Sequence, residues 1–523
     1  MLKILDCTLR DGGYYTNWDF PKEVVDEYLE TVLELPIEYI EIGYRSPSKE
    51  QYFGQYFYLP IKTIQYIREK VGLSKKLALM INTKDCNSEE LLESLLLDCK
   101  DYIDLVRFSV SPSNFLHSLK LARKTKSMGF EVALNIMYLS QMDISQINDF
   151  VGSITSTVPD VDFIYLVDSY GACYPNEVFE KIKTASEISS IPIGFHGHDN
   201  IQLAFANSLS AGEGGAKIVD STITGMGRGA GNLSTELYCS YHCNYNGIEV
   251  DYTRLANLVE SFNELKRQYG WGTSLPYMIS GLEKLPQGEI MRLVSMKRYK
   301  TNTILSLLKN KNQTVEINDI KLFDGADSTL DNVVLVGGGN EVIRHIESIL
   351  DLARRSKTVF IHASLKNLKY FLEEGITNIV CLPGDEVNKL EKEYHKEITY
   401  LLSEKQSNKR AEDIIKLKNC FVIDKTGIDS LFTNKDFSYD PPLLMCLKAA
   451  KKIGEQPILL TGFDGYEKET NANKLLREEN QQIINIYNES QEKELISITP
   501  TKYNIKINSL YSILVNEEIN KVK

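Results

Sequence analysis

Ile193-Gly194-Phe195-His196-Gly197-His198-Asp199-Asn200 is a short apolar run that ends in polar residues. Pro192 precedes it and Asp199-Asn200 breaks it, so it reads as a strand that delivers side chains to a loop. Residues two apart on a strand share a face. Both imidazoles therefore point the same way, roughly 7 Å apart along the chain, close enough to converge on one cation. Only 7 His occur in 523 residues, and two of them fall at this spacing.

The same unit, an apolar strand and then an amphipathic helix, recurs through the first half. Strands are expected over 3–9, 39–43, 77–82, 105–110, 131–138, 163–168, 191–196 and 218–224, with helical stretches such as 22–35, 89–97, 114–128 and 203–212 between them. Eight such units in about 240 residues fit an α/β fold of the (β/α)8 TIM-barrel kind. A doubly wound open sheet is the competitor. Polar residues recur at the strand ends: Asp11, Glu41, Asn82, Arg107, Asn135, Asp168, His196 and Thr224. A ring of that kind at the C-terminal ends of the strands is where barrels place their chemistry, which favours the barrel.

The first strand, starting at Leu2, is read with Asp6, Thr8 and Arg10 on one face lining a polar cavity, and Leu5, Cys7 and Leu9 on the other. Gly12-Gly13 then frees the chain so that Asp11 turns toward the cavity. Asp11, His196 and His198 together offer one carboxylate and two ring nitrogens. That mixed set suits Mg2+, Mn2+, Fe2+ or Zn2+ and leaves coordination positions open for a substrate.

At 523 residues two domains are expected, or three. The hydrophobic fraction of 43% and charged fraction of 25% are those of a soluble globular protein. A net charge of −12 argues against nucleic acid and membrane surfaces as partners. No apolar stretch reaches the roughly 18–20 residues of a membrane span, and strand-like sequence from Leu2 onward does not suit a signal peptide. The 9 Cys lack CxxC pairs, as expected of reduced thiols in a cytoplasmic protein. Cys239 and Cys243, four apart, suit packing on one helix face.

We expect a catalytic barrel with a C-terminal helical extension over 1–308, a linker over 309–327, and a smaller Rossmann-like α/β domain over 328–523. The segment from Gly270 reads as helices and turns that cover the mouth or form a homodimer contact. In the second domain, strands are expected over 333–337, 358–362, 379–382, 420–424 and 458–462. Val336-Gly337-Gly338-Gly339-Asn340 is a glycine turn between strand and helix, which can cradle a phosphate. It does not match GxGxxG, so a nucleotide or nucleotide-sugar partner stands against a plain tight turn.

Four motifs carry a resemblance: Asp6-Cys7-Thr8-Leu9-Arg10-Asp11-Gly12, Asp168-Ser169-Tyr170-Gly171, His196-Gly197-His198-Asp199-Asn200, and Gly225-Met226-Gly227-Arg228-Gly229-Ala230-Gly231-Asn232. In order and spacing, residues 1–300 resemble the metal-dependent TIM-barrel family with the Thr-Leu-Arg-Asp-Gly signature. Its members include 4-hydroxy-2-oxovalerate aldolase, hydroxymethylglutaryl-CoA lyase, isopropylmalate synthase and homocitrate synthase. The resemblance implies Asp11, His196 and His198 as ligands of a divalent metal, Mn2+ or Mg2+ with Zn2+ as an alternative, and Asn232 as a further ligand or its support. It implies Arg10 as the stabiliser of an enolate oxygen, Glu41 as the glutamate that orients the metal ligands, and Ser169, beside Asp168, as a holder of the substrate carboxylate.

Two departures matter. Where the aldolases carry His and the condensing synthases Gln, this chain has Tyr14, followed by Tyr15. Tyr14 is the candidate proton shuttle, with binding or packing as its alternative role. The glycine loop lacks the Cys of the hydroxymethylglutaryl-CoA lyases, which disfavours that subtype. The second domain also alternates strand and helix, unlike the regulatory domain of isopropylmalate synthase. The leading expectation is an aldolase that acts on a 4-hydroxy-2-oxo acid, with pyruvate and an aldehyde as its small-molecule partners. A Claisen-type condensing synthase and a non-catalytic scaffold are the competing readings.

Overall fold

In the computed structural model, the described residues are 2–50, 52–295, 301, 304–305, 308, 321–325, 330–390, 394–403, 419–423, 441–454, 456–466, 471–490 and 493–515. They form two compact units, Met1–Ser295 and Met296–Lys523. Of the expected linker only 321–325 is among them. Asp424, at the end of one expected strand, and the tail beyond 515 also lie outside the described residues.

The first unit is a closed barrel of eight parallel strands. They are β1 (Lys3–Asp6), β2 (Tyr39–Tyr44), β3 (Lys76–Asn82), β4 (Leu105–Val110), β5 (Glu131–Ile136), β6 (Phe163–Asp168), β7 (Ile193–Gly197) and β8 (Ile218–Ser221). β1 pairs with both β2 and β8, which closes the ring and excludes the open sheet. Helices over Lys22–Glu34, Glu89–Leu96, Phe115–Ser127 and Ala204–Glu213 match the amphipathic stretches read from the sequence.

Alternation decides what fills the barrel. Leu5, Tyr39, Ala78, Leu105, Ala133, Phe163, Tyr165 and Ile218 share one apolar cluster inside it. Two residues further along, toward the C-terminal ends, the inward positions of β2, β4 and β8 carry Glu41, Arg107 and Asp220 instead. The interior is thus packed and apolar at one end and charged at the mouth, all of it buried.

The first strand departs from expectation. β1 stops at Asp6, and Thr8–Asp11 makes one helical turn. Asp6, Thr8 and Arg10 do not share a strand face, and it is Leu5 and Cys7 that point into the barrel. The cause is local hydrogen bonding: Asp6 accepts from the Thr8 N–H at 2.9 Å and pulls the chain out of the ladder. Asp6 also accepts from Tyr28 at 2.6 Å and Thr235 at 2.5 Å, on the outer side. Gly12 keeps a right-handed helical φ of −64°, so it does not act through left-handed freedom. A Cβ there would lie 2.6 Å from the Met226 sulfur, and one on Gly13 would enter the Trp18 ring at 2.1 Å.

The second unit is a parallel sheet in the order β13-β12-β11-β10-β9-β14-β15-β16. Its strands are β9 (Asn332–Val336), β10 (Thr358–His362), β11 (Thr377–Cys381), β12 (Thr399–Ser403), β13 (Cys420–Ile423), β14 (Ile458–Thr461), β15 (Ile496–Ser497) and β16 (Lys506–Ile507). Val333 and Leu335 face a cluster with the helix Pro442–Ile453, while Val334 and Val336 face one with the helix Ile346–Arg355. Both faces of the central strand are buried, as in a Rossmann-like three-layer domain. Sequence reading missed β12, β15 and β16, the last two of only two residues each. No helix among the described residues is long and apolar enough to cross a membrane.

Candidate active site

The helical turn Thr8–Asp11 lifts Arg10 and Asp11 over the barrel mouth. Trp18 fixes the turn by donating its indole N–H to the Arg10 carbonyl at 2.7 Å. Asp11, His196 and His198 then converge, their candidate ligand atoms all within 4.8 Å of one another. Asn232 follows the glycine loop and donates its amide to Asp11 Oδ2 at 2.5 Å. Its side-chain carbonyl oxygen is buried without a partner among the described residues.

Both rings are oriented by their other nitrogen. His198 Nδ1 lies 2.9 Å from the Asp168 carbonyl, which can only accept, so Nδ1 carries the proton. His196 Nδ1 donates to Asp220 Oδ2 at 2.8 Å. Each Nε2 is left for another partner, as in a metal-ligating histidine. Burial first, and then the neighbouring His196, push His198 down to about 4, so it is neutral at pH 7. Burial alone would raise Asp11, but Arg10 foremost, the two imidazoles and the Asn232 amide outweigh it and hold the carboxyl well below the usual range.

Beneath this cluster runs a buried chain of charges. Arg10 Nε donates to Glu41 Oε2 at 2.6 Å, and Arg10 also pairs with Asp11. Arg107 donates to the same Glu41 oxygen at 3.0 Å and to Asp220 Oδ2 at 2.5 Å. Its guanidinium lies over the Tyr165 ring at 4.3 Å. Burial would raise Asp220, but Arg107 and His196 hold it low. Three carboxylates against two guanidiniums leave this bonded network one negative charge in excess. Buried charge is costly unless matched. The orphaned Asn232 carbonyl, the two Nε2 atoms and that excess all fit a divalent cation, and oxygen with imidazole donors suits Mn2+, Mg2+ or Zn2+.

The structure brings Arg10, Asp11, Glu41, His196, His198 and Asn232 together. Tyr14 stands at the edge, its hydroxyl 3.2 Å from that of Tyr44. Asp168 does not present its carboxylate to this cluster. Phe163, Tyr165 and Val167 take the inward positions of β6, so the Asp168 carboxylate turns outward to accept from the Cys173 N–H at 2.9 Å. Burial raises its pKa there. Ser169 Oγ accepts from the Tyr138 N–H at 3.0 Å.

In the ring of strand-end residues, Thr224 falls outside β8. It lies in a short turn with φ +53°, its hydroxyl donating to the Ile223 carbonyl. Asp220 does the work expected at that strand end, and the only signal for it was a charge inside Ile218-Val219-Asp220-Ser221. Asn82 closes its own loop by donating to Asp85 at 2.9 Å. The helices Leu275–Leu282 and Gln287–Ser295 are tied to the mouth through Asn200, which donates to the Tyr277 carbonyl and to Gln287, each at 3.0 Å.

In the second unit the glycine turn is bonded to the end of β14 and the residue after it. The N–H groups of Gly337 and Gly339 donate to the Thr461 and Gly462 carbonyls at 2.8 and 2.7 Å. The Asp464 carboxylate accepts from the Glu341 N–H at 3.0 Å, so a carboxylate of the chain already stands where a phosphate cradle would bind.

The profile of the HMGL-like family matches residues 108–258. A 4-hydroxy-2-oxovalerate aldolase of Pelotomaculum thermopropionicum is 30% identical over 243 residues, 45% of this chain and 68% of that protein. An oxaloacetate decarboxylase of Mycobacterium tuberculosis is 28% identical over 246 residues, 45% of this chain and 67% of that protein. Among solved structures, the N-terminal domain of a candidate aldolase from Bacteroides vulgatus aligns with 42% identity and a TM-score of 0.54, covering 58% of this chain and 99% of that domain. By its barrel, its motifs and these relatives, the chain belongs to the HMGL-like family and is a carbon–carbon lyase.

Proposed function

We propose that the barrel is a divalent-metal-dependent aldolase that reversibly cleaves a 4-hydroxy-2-oxo acid to pyruvate and an aldehyde. The observation that carries this is the convergence of Asp11, His196 and His198 within 4.8 Å, beside a buried Arg10 held by Glu41. Asn232 would complete the ligand set. A divalent ion bound there supplies Lewis-acid polarisation of the 2-oxo group.

Cleavage next to a carbonyl pushes charge onto its oxygen. Arg10 is permanently charged and fixed by two carboxylates, so it can donate to that oxygen without reorganising. Glu41 and Asp220, locked together by Arg107, keep Arg10 and His196 in place. Tyr14 is the residue we assign to take the 4-hydroxyl proton, and its hydroxyl lies 3.2 Å from that of Tyr44. Burial raises the Tyr44 phenol well above its ordinary range, so Tyr44 stays protonated and acts as a donor.

The test is deuterium uptake into the pyruvate methyl group, followed by proton NMR in D2O with and without added Mg2+ or Mn2+. Exchange that needs both the metal and Arg10 is the expected result. If no metal supports exchange, while acetyl-CoA with a 2-oxo acid releases free thiol, the chain is a condensing enzyme instead.

A further inference from the structure

Among the described residues, Arg228 is a cation near the mouth that the network above does not use. Arg228 lies in the loop Gly225–Gly231, where Gly225, Gly229 and Gly231 take φ of +63°, +67° and +88°. The loop is folded so closely that a Cβ on Gly231 would lie 2.1 Å from the Gly225 carbonyl. A Cβ on Gly227 would meet the Asn232 amide at 2.2 Å and the Asp11 carboxylate at 2.6 Å. Met226 turns inward onto Gly12, and Arg228 is the long polar side chain the loop holds out.

Its guanidinium carbon sits 5.4 Å from the centre of the Tyr14 ring, and Nη2 lies against Gly288, where a Cβ would be only 3.0 Å away. Its charge partly offsets the rise that burial gives the Tyr170 phenol. Tyr170 stacks on Tyr138 at 5.6 Å. Among the described residues no carboxylate lies within ion-pair distance of Arg228, in contrast to Arg10 and Arg107. A half-buried guanidinium without an anion leaves its donors available to a ligand, and its fork fits carboxylate or phosphate oxygens.

We infer that Arg228 binds an oxyanion, carboxylate or phosphate, on the aldehyde half of the substrate, so that the aldehyde partner is an acidic one. The inference rests on the aldolase reading, in which Arg10 and the Asp11–His196–His198 cluster take the 2-oxo acid end and leave Arg228 for the other. The phenols of Tyr14 and Tyr170 border the same space and can bond to hydroxyls between the two ends.

Binding can be read without turnover. The full-length protein, with Mn2+ and with oxalate in place of pyruvate, is titrated calorimetrically with D-glyceraldehyde 3-phosphate, succinic semialdehyde, glyceraldehyde and butyraldehyde. A charge-assisted contact of about 1.5–3 kcal/mol corresponds to about 10–100-fold in affinity. The phosphorylated or the carboxylated aldehyde should therefore bind at least about tenfold tighter than its neutral counterpart, and which of them does so identifies the anion. R228M should abolish that preference, and R228K, which keeps a charge but not the fork, should retain part of it. Equal binding of charged and neutral aldehydes by the wild type, or a preference that survives in R228M, overturns the inference. Failure of pyruvate deuterium exchange instead removes the aldolase reading, whatever the anion preference.

Discussion

Asp220 accepts from His196 Nδ1 at 2.8 Å, with the same oxygen that takes Arg107 at 2.5 Å. One carboxylate oxygen therefore ties a candidate metal ligand to the charge at the centre of the barrel. Partners of this kind fix the tautomer and raise the basicity of the ligating ring. Asp220→Asn should weaken metal binding about 10–100-fold, read by titration of the apoprotein with Mn2+, with the circular dichroism spectrum retained. Wild-type metal affinity in that variant would show that His196 needs no such support.

Arg10 is buried and held by Glu41 and Asp11. Loss of a preorganised donor of this kind typically costs about 10²–10³ in turnover. Arg10→Ala should fall by that much in pyruvate-forming cleavage. A variant that keeps more than a tenth of wild-type turnover would remove Arg10 from the chemistry.

Tyr14→Phe separates proton transfer from architecture, because the ring, its edge contact with Trp18 at 4.9 Å and the stacked Arg228 all remain possible. Turnover should be abolished while metal content stays at the wild-type level. Loss of metal along with activity would assign Tyr14 a structural role.

Arg107 is fully buried between Glu41 and Asp220. Removing one partner of a buried ion network leaves uncompensated charge, at a cost of about 3–5 kcal/mol. Arg107→Met should destabilise the barrel by that order, measured by urea unfolding of the two buried tryptophans, Trp18 and Trp271. A loss under about 1 kcal/mol, the worth of a surface pair, would mean that water reaches the network.

In the second unit, burial depresses His362 from 6.5 to about 4, and its Nδ1 has no partner among the described residues. Between those values the unfolded chain takes up a proton that the folded unit refuses. Stability is therefore full above pH 6.5 and falls as the pH drops toward 4, by about 1.4 kcal/mol per unit and about 3 kcal/mol in all. Hydrogen exchange of β9 and β10 amides in the full-length protein should show this slope, and His362→Gln, which keeps a donor toward Asn378, should flatten it. The same slope in both proteins would place the titration elsewhere.

Much of the barrel was legible because its signals are local. Apolar runs of strand length ending in polar residues marked the strands, and β4 and β6 fall where the sequence put them. The His196–Gly197–His198 spacing announced a shared face before any fold was known. The N-terminal strand was misread because an alternating pattern does not reveal that Asp6 will bond to its own neighbour's N–H and end the ladder. The same limit hid β15 and β16, whose pairing is with each other and β14 rather than with any pattern of their own.

By itself, the sequence determined the strand–helix rhythm, the shared face of the two imidazoles and the presence of a second α/β unit, since all three follow from side-chain periodicity along short stretches. Only the tertiary structure decided that Asp220 rather than Thr224 completes β8, that Asp168 offers its carbonyl and not its carboxylate, and that Arg107 joins Glu41 to Asp220. Those partners lie tens of residues apart, and closure of the barrel, with the inward or outward turn of each strand's last residue, determines which charges meet.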